Sequence, residues 1–253
     1  MKEGNSISRL RRIYMARLIG RCMALALAVF FYIAVPEQFL PLERGNFFRQ
    51  GTLLHVLWGV WLMDMAGQLM PAKRNLALGS KKLFVQYFKD AGIKGNAEAL
   101  KTYIVNTTRA AHKILIMWGL LVGALGICHG KGWLSNRDLL MVSILFYVCD
   151  LICVLIWCPF RLMLKNRCCT TCRIFNWDHM MMFTPMIWVN SFYSWSLLAV
   201  ALVVWGAWEL SVLIHPERFS PQSNAALLCQ NCTDKLCTQY CQKLREKKGE
   251  KNS

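Results

Sequence analysis

The chain has 253 residues, 55% of them hydrophobic and only 17% charged, with a mean hydropathy of +0.32. Soluble domains carry about a quarter of their residues as charges, and several apolar runs here approach the roughly 20 residues that cross a bilayer. The net charge of +16 lies in basic residues beside those runs, not on a separate polar domain, so a lipid bilayer is the expected partner and nucleic acid is not. The runs do not alternate apolar with polar, which excludes a transmembrane barrel. The expected fold class is all-α: a polytopic transmembrane helix bundle of about five spans.

The N-terminal segment carries Lys2, Arg9, Arg11, Arg12, Arg17 and Arg21, then an apolar run that Pro36 ends. No small-residue cleavage site follows, so the run reads as a first span at 18–35 with a cytoplasmic N-terminus. Arg21 would snorkel from its inner end to the headgroups. A second span, 52–70, contains His55 and Asp64 and stops at Pro71. The loop that follows holds Lys73, Arg74, Lys81, Lys82, Lys89, Lys94, Lys101, Arg109 and Lys113 against only Asp90 and Glu98, the strongest cytoplasmic mark in the chain. Within it Leu83, Phe84, Tyr87 and Phe88 have the spacing of a short amphipathic helix.

Spans three and four are expected at 114–128 and 139–162, the latter with Asp150 near its centre. The run 183–214 is too long for one simple span and too short for a hairpin. Pro185 and the pair Asn190 and Ser191 mark a kink or the end of a re-entrant piece, leaving a fifth span at 191–214. Residues 1–215 form the bundle domain, and 216–253 form a polar, cysteine-rich tail. Five spans from a cytoplasmic N-terminus would put that tail outside, although Lys243, Arg245, Lys247, Lys248 and Lys251 argue for inside. The expected location is the bacterial cytoplasmic membrane.

Twelve cysteines are unusual for such a chain. Cys22, Cys128, Cys149, Cys153 and Cys158 lie in or beside apolar runs and read as small apolar filler. Cys168, Cys169 and Cys172 form C-C-x-x-C in a basic loop flanked by Arg167 and Arg173. Such a pattern binds metal or closes a redox disulfide. Its fourth ligand would be Cys158 for an iron–sulfur cluster or His179 for zinc. The tail's C-x2-C-x4-C-x3-C, built from Cys229, Cys232, Cys237 and Cys241, suits a second metal knuckle, or two disulfides if it lies outside.

Asp64 and Asp150 both fall roughly 17 Å from the outer ends of their spans, near the bilayer centre. Two carboxylates at one depth can share a proton or a cation. Haem would need paired histidines at one depth. His55 with His129 is the only outer pair, and a histidine at a helix end has simpler uses, so haem is not expected. No phosphate-binding glycine loop, HExxH or GxSxG occurs. The leading expectation is an integral membrane cysteine-rich metalloprotein, handling electrons or thiol redox at the cytoplasmic surface with a soluble redox partner. The alternatives are a transporter or ion-conducting protein that uses Asp64 and Asp150, with structural zinc knuckles, and a membrane scaffold or sensor.

Overall fold

The computed structural model describes residues 9–43, 45–49, 51–70, 83–91, 97–164, 171–228, 231 and 236. Among these every regular element is helical, and a single isolated bridge joins Asp90 to Asn224. The α-helices are α1 (Arg9–Ala34), α2 (Leu53–Leu69), α3 (Ala97–Gly130), α4 (Asn136–Leu155), α5 (Phe160–Leu164), α6 (Asp178–Phe183) and α7 (Phe192–Ile214). Four of them, α1, α3, α4 and α7, are long and apolar enough to cross a membrane. Their outward faces carry exposed Ile19, Phe30, Leu120, Ile127, Val203 and Leu213, a surface suited to lipid and not to water.

Local chemistry fixes the ends. Val35 precedes Pro36, whose ring disfavours a helical residue before it, and α1 stops there. At α2, Thr52 and His55 form a capping box, with the Thr52 N–H donating to His55 Nδ1 at 3.0 Å. At α4, Ser135 and Asp138 form another, with distances of 2.7 and 3.3 Å. Ser191 accepts from Ser194 N–H at 3.2 Å and starts α7. Each such cap stabilises its helix by about 1 kcal/mol. Gly132, at φ 75°, closes α3: its N–H reaches His129 O at 2.9 Å and Trp133 N–H reaches Cys128 O at 3.0 Å, a glycine-dependent helix stop.

Several boundaries differ from the sequence expectation. Helix α3 begins at Ala97, far before the apolar run at 114, because its first turns are polar but still helical. Helix α4 ends at Leu155, not 162: Pro159 bars continuation, and the chain turns at 156–159. The expected amphipathic helix near 83–88 is only a 3₁₀ turn, Val85–Tyr87.

Helices α4 and α7 lie at the centre, with α1 packed along α4 and α2 along α7. Helix α1 runs antiparallel to α4, tied by Tyr32 O–H donating to Asp138 Oδ1 at 2.7 Å and, lower down, by Arg21 to Asp150. Helices α1 and α2 do not pack closely on each other, and a cleft separates them.

Residues 173–191 run alongside α7 in the opposite direction. Arg173 and Trp177 bond to Glu209 near the end of α7, at 2.6 and 2.7 Å. Further on, Trp118 Nε1 donates to Thr184 Oγ1 at 2.8 Å, and Trp188 Nε1 to Val122 O at 3.0 Å. The segment then meets the start of α7, where Phe47 stacks on Phe192 at 4.9 Å. From Phe192 to Glu209 a helix rises about 26 Å, and this segment covers the same height. It does so as a broken rod: α6, then 3₁₀ helix Thr184–Trp188 begun around Pro185, then extended backbone. Met181, Met182, Phe183, Pro185, Met186 and Val189 are buried along it. Gly126 makes room for it, since a Cβ there would overlap the Trp188 indole.

The run of residues 173–191 along α7 sets which end of the bundle residues 216–228 occupy. Residues 216–228 sit at the end of the bundle where α1 begins. Ala225 N–H donates to Lys89 O at 2.7 Å, Ala91 N–H to Ser223 O at 3.0 Å, and Arg218 Nη1 to Leu83 O at 3.2 Å. Leu236 is buried among Tyr14, Leu18 and Val154. The broken segment escaped hydropathy because it is short, contains Pro185 and carries Asp178 and His179.

Candidate functional site

A linked cluster of ionisable side chains joins α1, α2, α4 and α6. Arg21 is its hub. Its Nη1 donates to Asp150 Oδ2 and to the Tyr147 carbonyl, both at 2.7 Å, and its Nη2 donates to Asp64 Oδ2 at 3.3 Å. The guanidinium also lies 3.7 Å from the Tyr147 ring centre, a cation–π contact. Arg21 does not reach the headgroups as the sequence led us to expect. It is 9% exposed, and its fork serves two carboxylates at once, which the point charge of a lysine does less well.

The broken segment completes the cluster. His179 Nε2 faces Asp64 Oδ2 at 3.5 Å, and its Nδ1 lies 3.0 Å from Asp178 Oδ1. Gln68, one turn below Asp64 on α2, donates from Nε2 to Asp178 Oδ2 at 3.0 Å. The order is Asp150, Arg21, Asp64, His179, Asp178, so acidic and basic groups alternate. They are drawn from α4, α1, α2 and α6.

Alternation answers a physical need. A lone charge at a bilayer centre costs about 2.5–3.5 kcal/mol on insertion scales, and each member here faces an opposite charge. The cluster lines the cleft between α1 and α2, a cavity of about 710 Å³. Its walls are apolar, from Leu27 and Phe31 on α1 and Val56, Leu57 and Val60 on α2, with Arg17 also at its edge.

A second cavity, of about 290 Å³, adjoins the first: Asp150, Val154, Phe175 and Asp178 line both. Cys149, Cys153, Cys158 and Cys172 line this one. Three of these four read from sequence as apolar filler. Their convergence was hidden because it depends on the turn after α4 and on the docking of residues 172–175.

The expected site residues therefore divide. Asp64 and Asp150 meet through Arg21. Cys158 and Cys172 share a cavity. His179 turns away from them, towards Asp64 and Asp178. Cys168, Cys169, Cys229, Cys232, Cys237 and Cys241 lie outside the described residues. Among the described residues, no three metal-ligating side chains stand close enough to hold an ion. His55 bonds to Phe47 O at 2.7 Å, and His129 to Leu134 O at 2.8 Å.

Arg21 and Asp178 were not expected at the site. Arg21 carried one usable signal: it lies deeper in its apolar run than the other N-terminal arginines. Comparison with known proteins returns no matching family model, no matching curated protein and no matching solved structure.

Proposed function

We propose that this chain is an integral membrane transporter that couples its substrate to a proton through Asp64 and Asp150. One observation carries the reading: an alternating chain of five acidic and basic groups, two of them supplied by a broken segment, lines a cleft between helices of the bundle. Ionisable groups inside a membrane mark substrate, ion and proton paths. Irregular backbone is tolerated in a membrane only where protein buries it or where it lines a cavity. Discontinuous segments hold the binding sites of many transporters near the midplane.

In this reading α2 and residues 173–191 cross the membrane together with the four longer helices. The N-terminus, the basic loop and the tail then share the cytoplasmic side, in accord with their Lys and Arg content. Asp64 is the switch. Its carboxylate faces both Arg21 and His179, so a proton on Asp64 weakens the link across the α1–α2 cleft. Asp150 keeps Arg21 on α4 while that happens. A substrate entering the cleft gains access to the polar groups that Asp64 releases.

The test uses proteoliposomes with a pH-sensitive dye in the lumen and a panel of small amines, carboxylates and inorganic cations outside. A substrate-dependent change in lumenal pH is expected, absent in Asp64→Asn and kept in Cys22→Ser. If no panel member moves protons, or Asp64→Asn moves them as fast as the parent, the reading fails.

The metal centres form a second reading, for the cysteine-rich loop and tail, and one contact favours it over tail disulfides. Leu236, between Cys232 and Cys237, packs near the start of α1. On the cytoplasmic side thiols stay reduced, and closely spaced cysteines there bind zinc or an iron–sulfur cluster more readily than they pair.

A further inference from the structure

We propose that Cys153 and Cys158 form a dithiol that passes two electrons to a lipid-soluble quinone held in the smaller cavity. The activity is separate from transport and rests on different residues.

Local structure brings the two thiols together. Helix α4 closes with Ile156 and Trp157 N–H both bonding to Ile152 O, at 2.8 and 3.0 Å. The chain then turns before Pro159, and Cys158 folds back over the last turn of the helix. There its thiol and that of Cys153 face the same cavity. Cys149 lies one turn further along the same face, and Cys172 enters from the other side of the cavity. Two thiols in one cavity, with no group of three metal ligands among the described residues, suit disulfide chemistry better than a metal cage.

The cavity describes the oxidant. Its wall is made of Trp118, Phe146, Phe160, Phe175, Met181 and Met182, with Asp150 and Asp178 as its carboxyl groups. At about 290 Å³ it sits at the small end of ligand sites, which run from about 300 to 1,000 Å³. That space takes one ring and leaves a long tail outside in lipid. A quinone ring meets aromatic and thioether walls on its faces. It also accepts what a dithiol gives up.

The step balances without another reactant. Two S–H bonds break and one S–S bond forms between Cys153 and Cys158. The two electrons and two protons convert the quinone's carbonyls to the hydroxyls of a quinol. Asp150 and Asp178 touch both the cavity and the charge cluster, so protons have acceptors on the way.

Full-length protein in phospholipid nanodiscs, reduced and freed of reductant under anaerobic conditions, is mixed with a short-chain ubiquinone analogue. Quinol is followed by ultraviolet absorbance, and disulfides are mapped by mass spectrometry of peptides. The parent should yield quinol and a Cys153–Cys158 linkage. Cys153→Ser and Cys158→Ser should each lose that linkage and the quinol that accompanies it, while Cys128→Ser keeps both. The parent's linkage map decides independently of whether a variant folds. No quinol from the parent, or quinol accompanied only by linkages among other cysteines, overturns the proposal.

Discussion

Arg21 Nη1 lies 2.7 Å from Asp150 Oδ2, and this contact joins two helices that are far apart in sequence. The same guanidinium reaches Asp64 at 3.3 Å. Removing one partner of a buried ion pair leaves a charge without compensation, at a cost of about 3–5 kcal/mol. Arg21→Ala should therefore lower the recovery of monodisperse protein and its thermal midpoint in detergent. Arg21→Lys should lose less, because an ammonium still offers charge but not a planar fork. Equal losses from the two changes would show that charge without the planar fork contributes nothing.

Asp64 and Asp150 share Arg21, so their effects should not add. Asp64→Asn and Asp150→Asn, singly and together, should give a coupling of about 0.5–3 kcal/mol in a double-mutant cycle on unfolding. The double change should cost less than the sum. Additive losses would mean that the two carboxylates act independently despite the common partner.

Gly126 receives the Trp188 indole, and any larger residue there must displace it. Gly126→Val should destabilise by about 1–3 kcal/mol, as overpacking does. Adding Trp188→Ala should recover part of the loss, since the clash goes even though the bond to Val122 goes with it. Thermal unfolding of the three proteins checks this. If Gly126→Val is neutral, the broken segment does not dock against α3 in this way.

Residues 216–228 and the start of α1 share one end of the bundle, and Gly132 belongs to the other. An impermeant maleimide applied to intact cells should label Gly132→Cys and leave Ser223→Cys unlabelled until permeabilisation. Labelling of both on intact cells would remove the return crossing by residues 173–191.

His179 is occupied by Asp64 and Asp178, whereas Cys172 sits among other thiols. In protein with the four tail cysteines replaced, Cys172→Ser should remove any metal bound at the loop, and His179→Ala should leave the metal content unchanged. Elemental analysis of purified protein decides. Metal loss on His179→Ala would return that residue to the ligand set.

Much of the bundle was legible in the sequence because lipid imposes a simple rule: a spanning helix must be long and apolar. Runs at α1, α4 and α7 met that rule, and Pro36, Pro71 and Ser191 marked ends through local backbone chemistry. Asp64 and Asp150 stood out for the same reason, since a carboxylate among apolar neighbours is costly wherever it points. Their matched depth followed from counting residues along two helices. What counting could not supply was the partner. Arg21 looked like a flanking arginine until α1 was laid antiparallel on α4, which turned it inward between the two carboxylates. His179 and Asp178 read as loop residues because residues 173–191 lack the length and hydropathy of a span, and only packing against α3 and α7 lets so irregular a rod lie inside. Cys149, Cys153, Cys158 and Cys172 read as filler or as ligands to a loop metal. Their meeting in one cavity depends on a turn and a docked segment, and such long-range placement leaves no periodic trace in the chain.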